Sequence, residues 1–403
     1  MPLYNFTAKA LNNETKRGKR QASNRKDLAQ ELKQEGCFLI SATVDKPKTK
    51  FKKFLPKIKH VTLKEKLLVT RNLQVMIAAG VSLPRALEVL SRQTKSKYFK
   101  SCLMEMREKI LKGTPLSEAV TEFPKVFSEI YTSMIKVGEK TGELEKVLGI
   151  LAQQLERNYR LRSRVRGAML YPAIIVSTMF FIGIIMMIKV VPQISETFEE
   201  LRIELPLATR IVIAIGNGLA TYWYFLILGI IVLFLFFYFS MKSKKGKKVF
   251  HKIILKIPIL SPLTKKINSA YTALSLSALV RGGVPIVSAI NIASDSVNNV
   301  FYKNALEKTA KQVEKGKKMS KVMAQYTELY SPLFIQMLLV GEETGQTSEM
   351  LEKLAEFLEE EVDNRTKNLS TIIEPILLLI IGGVVALFAI SFIQPIYSIM
   401  QGM

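Results

Sequence analysis

Apolar and polar positions follow one another along this chain in three rhythms. In residues 1–46, "LYNFTAKA" alternates with the period of two expected of a strand. "SNRKDLAQELKQEG" reads as a capped short helix ending at Gly36, and "CFLISATV" as a second strand. Further along, the period lengthens to that of a helix. Leu144, Leu148, Leu151 and Leu155 recur at i, i+4, i+7 and i+11, and Leu351, Leu354, Leu358 and Val362 repeat the pattern. Glycines punctuate these helices. Gly80 ends one, and Ser82 with Pro84 opens the next; Gly113 ends another, with Thr114 as the expected cap and Pro115 at the first helical position. Short helices of this kind predict antiparallel bundles. The third rhythm is unbroken apolarity. Residues 168–188, 211–241 and 375–403 are free of charge over 21, 31 and 29 positions. A bilayer core takes about 20 apolar residues, so each run is a predicted transmembrane helix. The longest helix starts near Glu143, meets no breaker before Pro172, and is expected to run straight into the first span.

The chain also repeats itself. "VGEKTGELEKVL" from Val137 and "VGEETGQTSEML" from Val340 are 203 residues apart, and the same offset pairs "AAGVSLPRAL" at Ala78 with "RGGVPIVSAI" at Arg281. Lys112-Gly113 then falls on Lys315-Gly316, Tyr171-Pro172 on Glu374-Pro375, and Pro192 on Pro395. A gapless register over more than a hundred residues is an internal duplication of a whole domain.

Charge orients the predicted spans. Residues 1–167 hold 35 Lys and Arg against 16 Asp and Glu, a net of +19, whereas the link between the first two spans is acidic. "RLRSRVR" at Arg160–Arg166 and "KSKKGKK" at Lys242–Lys248 flank spans on one side. Lys and Arg collect on the cytoplasmic side, so the amino terminus and both bundles are expected there, with the acidic link and the carboxyl terminus outside. No cleavable signal is expected in the polar, basic first forty residues. The net +24 carries no aromatic stacking platform, so anionic membrane lipids are the expected partners and nucleic acid is not. Cys37 and Cys102 lie in the cytoplasmic part, where thiols stay reduced.

Little in the chain suggests catalysis. Gly18-Lys19, Gly246-Lys247 and Gly316-Lys317 lack the earlier glycine of a phosphate loop. The two histidines, His60 and His251, are far apart, and no nucleophile elbow is present. No enzyme activity, cofactor or metal is expected. In the repeated phrase, Gly138 and Gly341 are expected to end a helix in the left-handed conformation. Thr141 and Thr344 are expected to cap the next helix after Gly142 and Gly345. Glu139 and Glu342 then either shape a rigid corner or contact a partner.

The duplicated units, three spans, "VGEKTGELEKVL", "RVRGAMLYPAIIV" and "VVP" at Val190–Pro192 resemble the type II secretion system F family, the inner-membrane platform proteins of type II secretion and type IV pili (PilC/GspF-like). The resemblance covers nearly the whole chain, including "YNFTAKALNNETKRG". It implies a bacterial inner-membrane protein that docks a cytoplasmic hexameric ATPase and moves pilins or pseudopilins into a fibre, as a homo-oligomer such as a dimer. The expected architecture is an all-α membrane protein with two duplicated cytoplasmic bundles, three transmembrane helices and a small N-terminal α/β segment. Its parts are the N-terminal segment (1–46), a basic linker (47–60), bundle one (61–167), span one (168–191), an external loop (192–210), span two (211–241), bundle two (242–369), span three (370–398) and a tail (399–403). A small transporter or channel is the alternative, although Lys189 and Glu374 are the only ionisable residues near the spans. The copies differ where they reach the membrane. The first has Arg157, Arg160, Arg162, Arg164 and Arg166 before Tyr171-Pro172. The second has Glu359, Glu360, Glu361 and Asp363 before Glu374-Pro375. Glu374 is expected either to sit solvated at the headgroups or to pair with an arginine of the other copy or a pilin's charge.

Overall fold

The computed structural model describes residues 3–10, 15–44, 61–200, 207–258 and 260–402, and the expected basic linker lies outside them. The chain forms two compact units, Met1–Lys59 and His60–Met403. In the first, β1 (Leu3–Ala10), β2 (Thr15–Gln21) and β3 (Cys37–Val44) form an antiparallel sheet in the order β2-β1-β3, with α1 (Arg25–Gln34) between the last two strands. Tyr4, Ala8 and Cys37 pack with Leu28 and Leu32 of α1. Asn24 starts that helix by accepting hydrogen bonds from the amides of Lys26 (2.8 Å) and Asp27 (3.0 Å). Strand β2, "TKRGKRQ", has no apolar residue to announce it. It forms by edge pairing with β1, where Gly18 lies under the Phe6 ring, 3.1 Å from where a Cβ would sit.

The second unit holds the duplication. Copy 1 comprises α2 (Leu63–Ala78), α3 (Leu83–Gln93), α4 (Lys97–Leu111), α5 (Leu116–Thr121), α6 (Glu129–Thr141) and α7 (Leu144–Ile185). A π-helical turn (Met186–Val190) leads to α8 (Val191–Glu200), followed by α9 (Leu207–Thr221), α10 (Trp223–Lys242) and α11 (Lys244–Lys256). Copy 2 is α12 (Leu260–Arg281), α13 (Ile286–Ser296), α14 (Val300–Val313), α15 (Met319–Met323), α16 (Pro332–Thr344) and α17 (Thr347–Gly402). Helices α3 and α13, and likewise α6 and α16, begin and end at positions 203 residues apart.

Both predicted leucine stripes are core. Leu148, Leu151, Leu351 and Val362 are fully buried, each burial contributing about 1.5–3 kcal/mol. Aromatic triplets sit at equivalent places. Phe99, Phe127 and Tyr131 stack in copy 1 with centroids 6.2 and 4.7 Å apart; Tyr302, Tyr330 and Phe334 stack in copy 2 at 5.1 and 4.6 Å.

Among the described residues, two helices are long and apolar enough to cross a membrane, Leu144–Gln193 and Thr347–Ser391. As expected, α7 runs without interruption past Pro172, for 42 residues or about 63 Å. The expected single helix over 211–241 is instead two, α9 and α10, separated at Tyr222 (φ −113°, ψ 28°). The sequence there, "TYWYF", is β-branched and aromatic, all weak helix formers, and the Tyr222, Tyr224 and Phe225 rings cluster. Residues 192–200, expected as loop, are helical, and the expected tail from 399 continues α17 to Gly402.

Candidate functional site

The repeated phrase forms the corner between α6 and α7, and again between α16 and α17. Its first glycine does not end a helix, as the sequence had suggested. Gly138 and Gly341 lie inside α6 and α16, buried, where the next helix comes too close for a side chain. A Cβ on Gly138 would lie 2.9 Å from the Val147 side chain, and one on Gly341 would lie 2.9 Å from the Thr347 Cα. The left-handed position belongs to the second glycine, Gly142 at φ 73° and Gly345 at φ 74°. Thr141 and Thr344 are not caps either. Each hydroxyl donates to the carbonyl four residues back, Val137 (3.0 Å) or Val340 (2.8 Å), which closes the helix that is ending.

Glu139 and Glu342 complete the corner from a distance. The Glu139 carboxylate accepts hydrogen bonds from the amides of Leu116 (2.6 Å) and Ser117 (3.1 Å) and from the Ser117 hydroxyl (2.6 Å). Those amides open α5, so the cap expected from Thr114 comes instead from a glutamate 22 and 23 residues later, with Pro115 at the cap position rather than inside the helix. Copy 2 reproduces the arrangement. Glu342 accepts from the amides of Met319 (2.6 Å) and Ser320 (3.0 Å), and from the Ser320 hydroxyl. A carboxylate on the unpaired amides of a helix start satisfies both the hydrogen bonds and the helix dipole. With both oxygens engaged, each glutamate ties the start of the short helix, α5 or α15, to the end of α6 or α16 just before the corner.

The two copies meet along α7 and α17. Arg157 contacts Glu356 (2.5 Å) and Glu359 (3.6 Å), and Arg164 contacts Asp363 (3.4 Å). Arg281 of α12 bridges Glu352 (2.7 Å) and Gln153 (2.5 Å), and Lys266 pairs with Glu361. Burial pushes the Glu359 carboxyl up, against the pull of Arg157 and Arg164. A second contact joins α6 to α13 beside a cleft of about 380 Å³, lined by Ser133, Lys136, Val137, Pro285 and Ser288 among others. At its margin, a hydrogen bond to Asp295 raises the Glu129 carboxyl, while Lys303 holds Asp295 low. The arginine and acidic runs legible in the sequence are thus brought together, but upstream of Glu374. Glu374 is exposed and makes no ion pair among the described residues. Tyr171 and Pro375 are exposed and Pro172 is buried, each within an unbroken helix. Among the described residues, no group of three or more His, Cys, Asp or Glu could hold a metal ion. Sequence reading missed Ser117, Ser320, Gln153, Arg281 and Glu352. Arg281 stood at the start of a repeated phrase, and the serines had no signal of their own.

The geometry is therefore a duplicated bundle with carboxylate-fastened corners, each leading into a long apolar helix. Known proteins are similar to this chain along most of its sequence. The type IV pilus assembly protein PilC of Myxococcus xanthus is 29% identical over 398 residues, 98% of this chain and 94% of the relative. PilC of Pseudomonas aeruginosa is 31% identical over 333 residues, covering 82% and 89%. The type II secretion system protein F of Aeromonas hydrophila is 27% identical over 383 residues, covering 94% and 98%. The family described as type II secretion system (T2SS), protein F, matches twice, over residues 69–192 and 272–395, again 203 apart. With both corners, all of α7 and most of α17 inside those matches, the chain belongs to the type II secretion system protein F family.

Proposed function

We propose that this chain is the inner-membrane platform of a type IV pilus or type II secretion machine, coupling a cytoplasmic hexameric ATPase to the transfer of pilins or pseudopilins into a fibre. The observation that carries the reading is the pair of fastened corners. A displacement imposed on either bundle passes into a rigid helix rather than into a hinge, and rigid helices carry displacement without local chemistry. The relatives' names, pilus assembly and secretion components, support the same role. The chain acts as a non-enzymatic component.

The proposal includes three spans. The third is α10, whose 20 residues would extend about 30 Å. The bundles are cytoplasmic and the carboxyl terminus external, with lysine-rich α11 at anionic lipid. The working form is a homo-oligomer. A cytoplasm-active reporter after Lys248 and a periplasm-active reporter after Glu200 should both work; the reverse pattern overturns the topology. Deleting the gene should abolish the fibre while pilin levels hold, and the purified chain should bind its ATPase without hydrolysing nucleotide. Normal fibres in the deletion strain overturn the function.

A further inference from the structure

The largest contact between the copies, α7 against α17, joins equivalent helices, and the rest of the seam is one-sided. The first helix of copy 2, α12, lies against the last helix of copy 1, α7, and α13 lies against α6. A two-fold arrangement would also place α2 against α17 and α3 against α16, and no comparable contact is made there among the described residues. The copies are therefore joined head to tail, which leaves a tail face on copy 2 and a head face on copy 1. Shifting each seam residue by 203 identifies those faces. Gln154 and Ala278, 5% and 6% exposed, line the seam together, and their equivalents Phe357 and Val75 are 45% and 61% exposed. Val137 packs 3.5 Å from where a Cβ on Gly283 would sit; its equivalent Val340 is exposed, and nothing lies within 4 Å of the matching point on Gly80. At these positions the open faces are more apolar than the joined ones, with Leu339 in place of Lys136 and Val75 in place of Ala278.

Charge agrees with the same register at the cleft. Lys140 and Ser288 line the cleft between α6 and α13, and their equivalents are Glu343 and Arg85, of opposite sign. That pair gains an attraction that the internal cleft lacks. Along α7 and α17 the same shift instead sets Glu360 against Glu156 and Lys367 against Arg160, so that stretch of the seam does not recur.

We infer that a second copy of this chain docks its copy 1 on the open face of copy 2, through Val75, Gly80 and Arg85 against Phe357, Val340 and Glu343, so that the contacts of α7 with α12 and of α6 with α13 recur between chains. This specifies the homo-oligomer proposed above and rests on that reading only for the presence of more than one copy. Heterologous contacts close into a ring when their rotation allows it.

The test is cross-linking of the full chain in native membranes with a short bis-maleimide; Cys37 and Cys102 are buried, and the parent chain sets the background. Chains carrying Val75→Cys and Phe357→Cys, differently tagged and co-expressed, should give a mixed dimer at least tenfold above background. Either variant alone should give none. Self-cross-linking of Val75→Cys alone overturns the head-to-tail order. Absence of the mixed dimer, where a lysine-reactive reagent still traps an oligomer, overturns the surface and leaves the oligomer standing. A chain monomeric under both reagents overturns the oligomer as well. In an independent arm, Glu343→Arg should lower association several-fold and Arg85→Glu should restore it; no change on Glu343→Arg overturns the register.

Discussion

Copy 1 and copy 2 agree in backbone and disagree in partners. Their corners are the same to the residue, with glutamate on the short helix, glycine under the next helix and glycine left-handed. Their cores keep an aromatic triplet but move its hydroxyls: Tyr131 meets Thr70 at 3.2 Å, whereas Tyr330 meets Thr272 at 3.4 Å and Tyr302 donates to the Leu329 carbonyl at 2.5 Å. Their facing helices differ in charge, with Arg157 and Arg160 on α7 where α17 carries Glu360 and Asp363. What each copy needs in order to close on itself has been kept. What it shows to a neighbour has diverged, because inside one chain each copy uses a different face.

Removing the fastening carboxylate should have the largest effect. Glu139→Ala and Glu342→Ala each discard three hydrogen bonds to a charged group and should cost about 3 kcal/mol. Hydrogen exchange should rise locally, at residues 116–121 for the first variant and 319–323 for the second. Spread into the other copy would show that the corners are not separate devices. Next, Gly341→Ala and Gly138→Ala should cost about 1–3 kcal/mol by overpacking. The former should be the worse, since the Thr347 Cα is backbone and the Val147 methyl is not; thermal melts of both variants check the order.

Alkali should separate the copies further. Burial pushes Tyr131 up to about 12 and raises Tyr302 and Tyr330 as well. An unfolded tyrosine ionises near pH ~10, so this stability is fully present below that pH and is lost as pH rises above it. Copy 2, with two such groups, should open first, and Tyr330→Phe should flatten its pH dependence. Arg157→Gln should cost about 1–3 kcal/mol in a thermal melt, because Arg157 and Glu359 are only 13% and 16% exposed and the loss leaves that carboxylate poorly paired. Glu374→Gln should leave stability and membrane insertion unchanged, so that any loss of fibre assembly reports a partner contact; unaltered assembly would make Glu374 a solvated headgroup residue.

Patterns carried by neighbouring residues were legible in the sequence. The leucine stripes, the turns at Gly80 and Gly113 and both apolar-rich strands needed only local periodicity, and the duplication needed only a gapless match of the chain with itself. The fastening role of Glu139 was not legible, because its partners lie 22 and 23 residues upstream and a tertiary cap has no local spacing. Gly138 looked like a helix end because composition does not separate a glycine chosen for φ from one chosen for lack of bulk. Strand β2 was hidden because edge pairing does not require an apolar side chain. The break at Tyr222 was hidden because hydropathy scores aromatic residues as apolar without registering their weak helix propensity.

The π-helical turn at Met186–Val190 acts on rotational phase. A π turn takes one more residue than an α turn, so everything after it is rotated by about 100° relative to an uninterrupted helix. That rotation aims Val191 at Gly216 of α9, where a Cβ would lie 2.4 Å from a Val191 methyl. The equivalent residues of α17, 389–393, are ordinary α-helix. Deleting one residue from the turn would restore the regular winding and swing Val191 off the glycine while leaving the length of the apolar stretch almost unchanged. In the second copy residues 389–393 are already regularly wound, so the same deletion would take the tail out of phase instead of restoring it, and one frame-preserving codon deletion has two different mechanical outcomes.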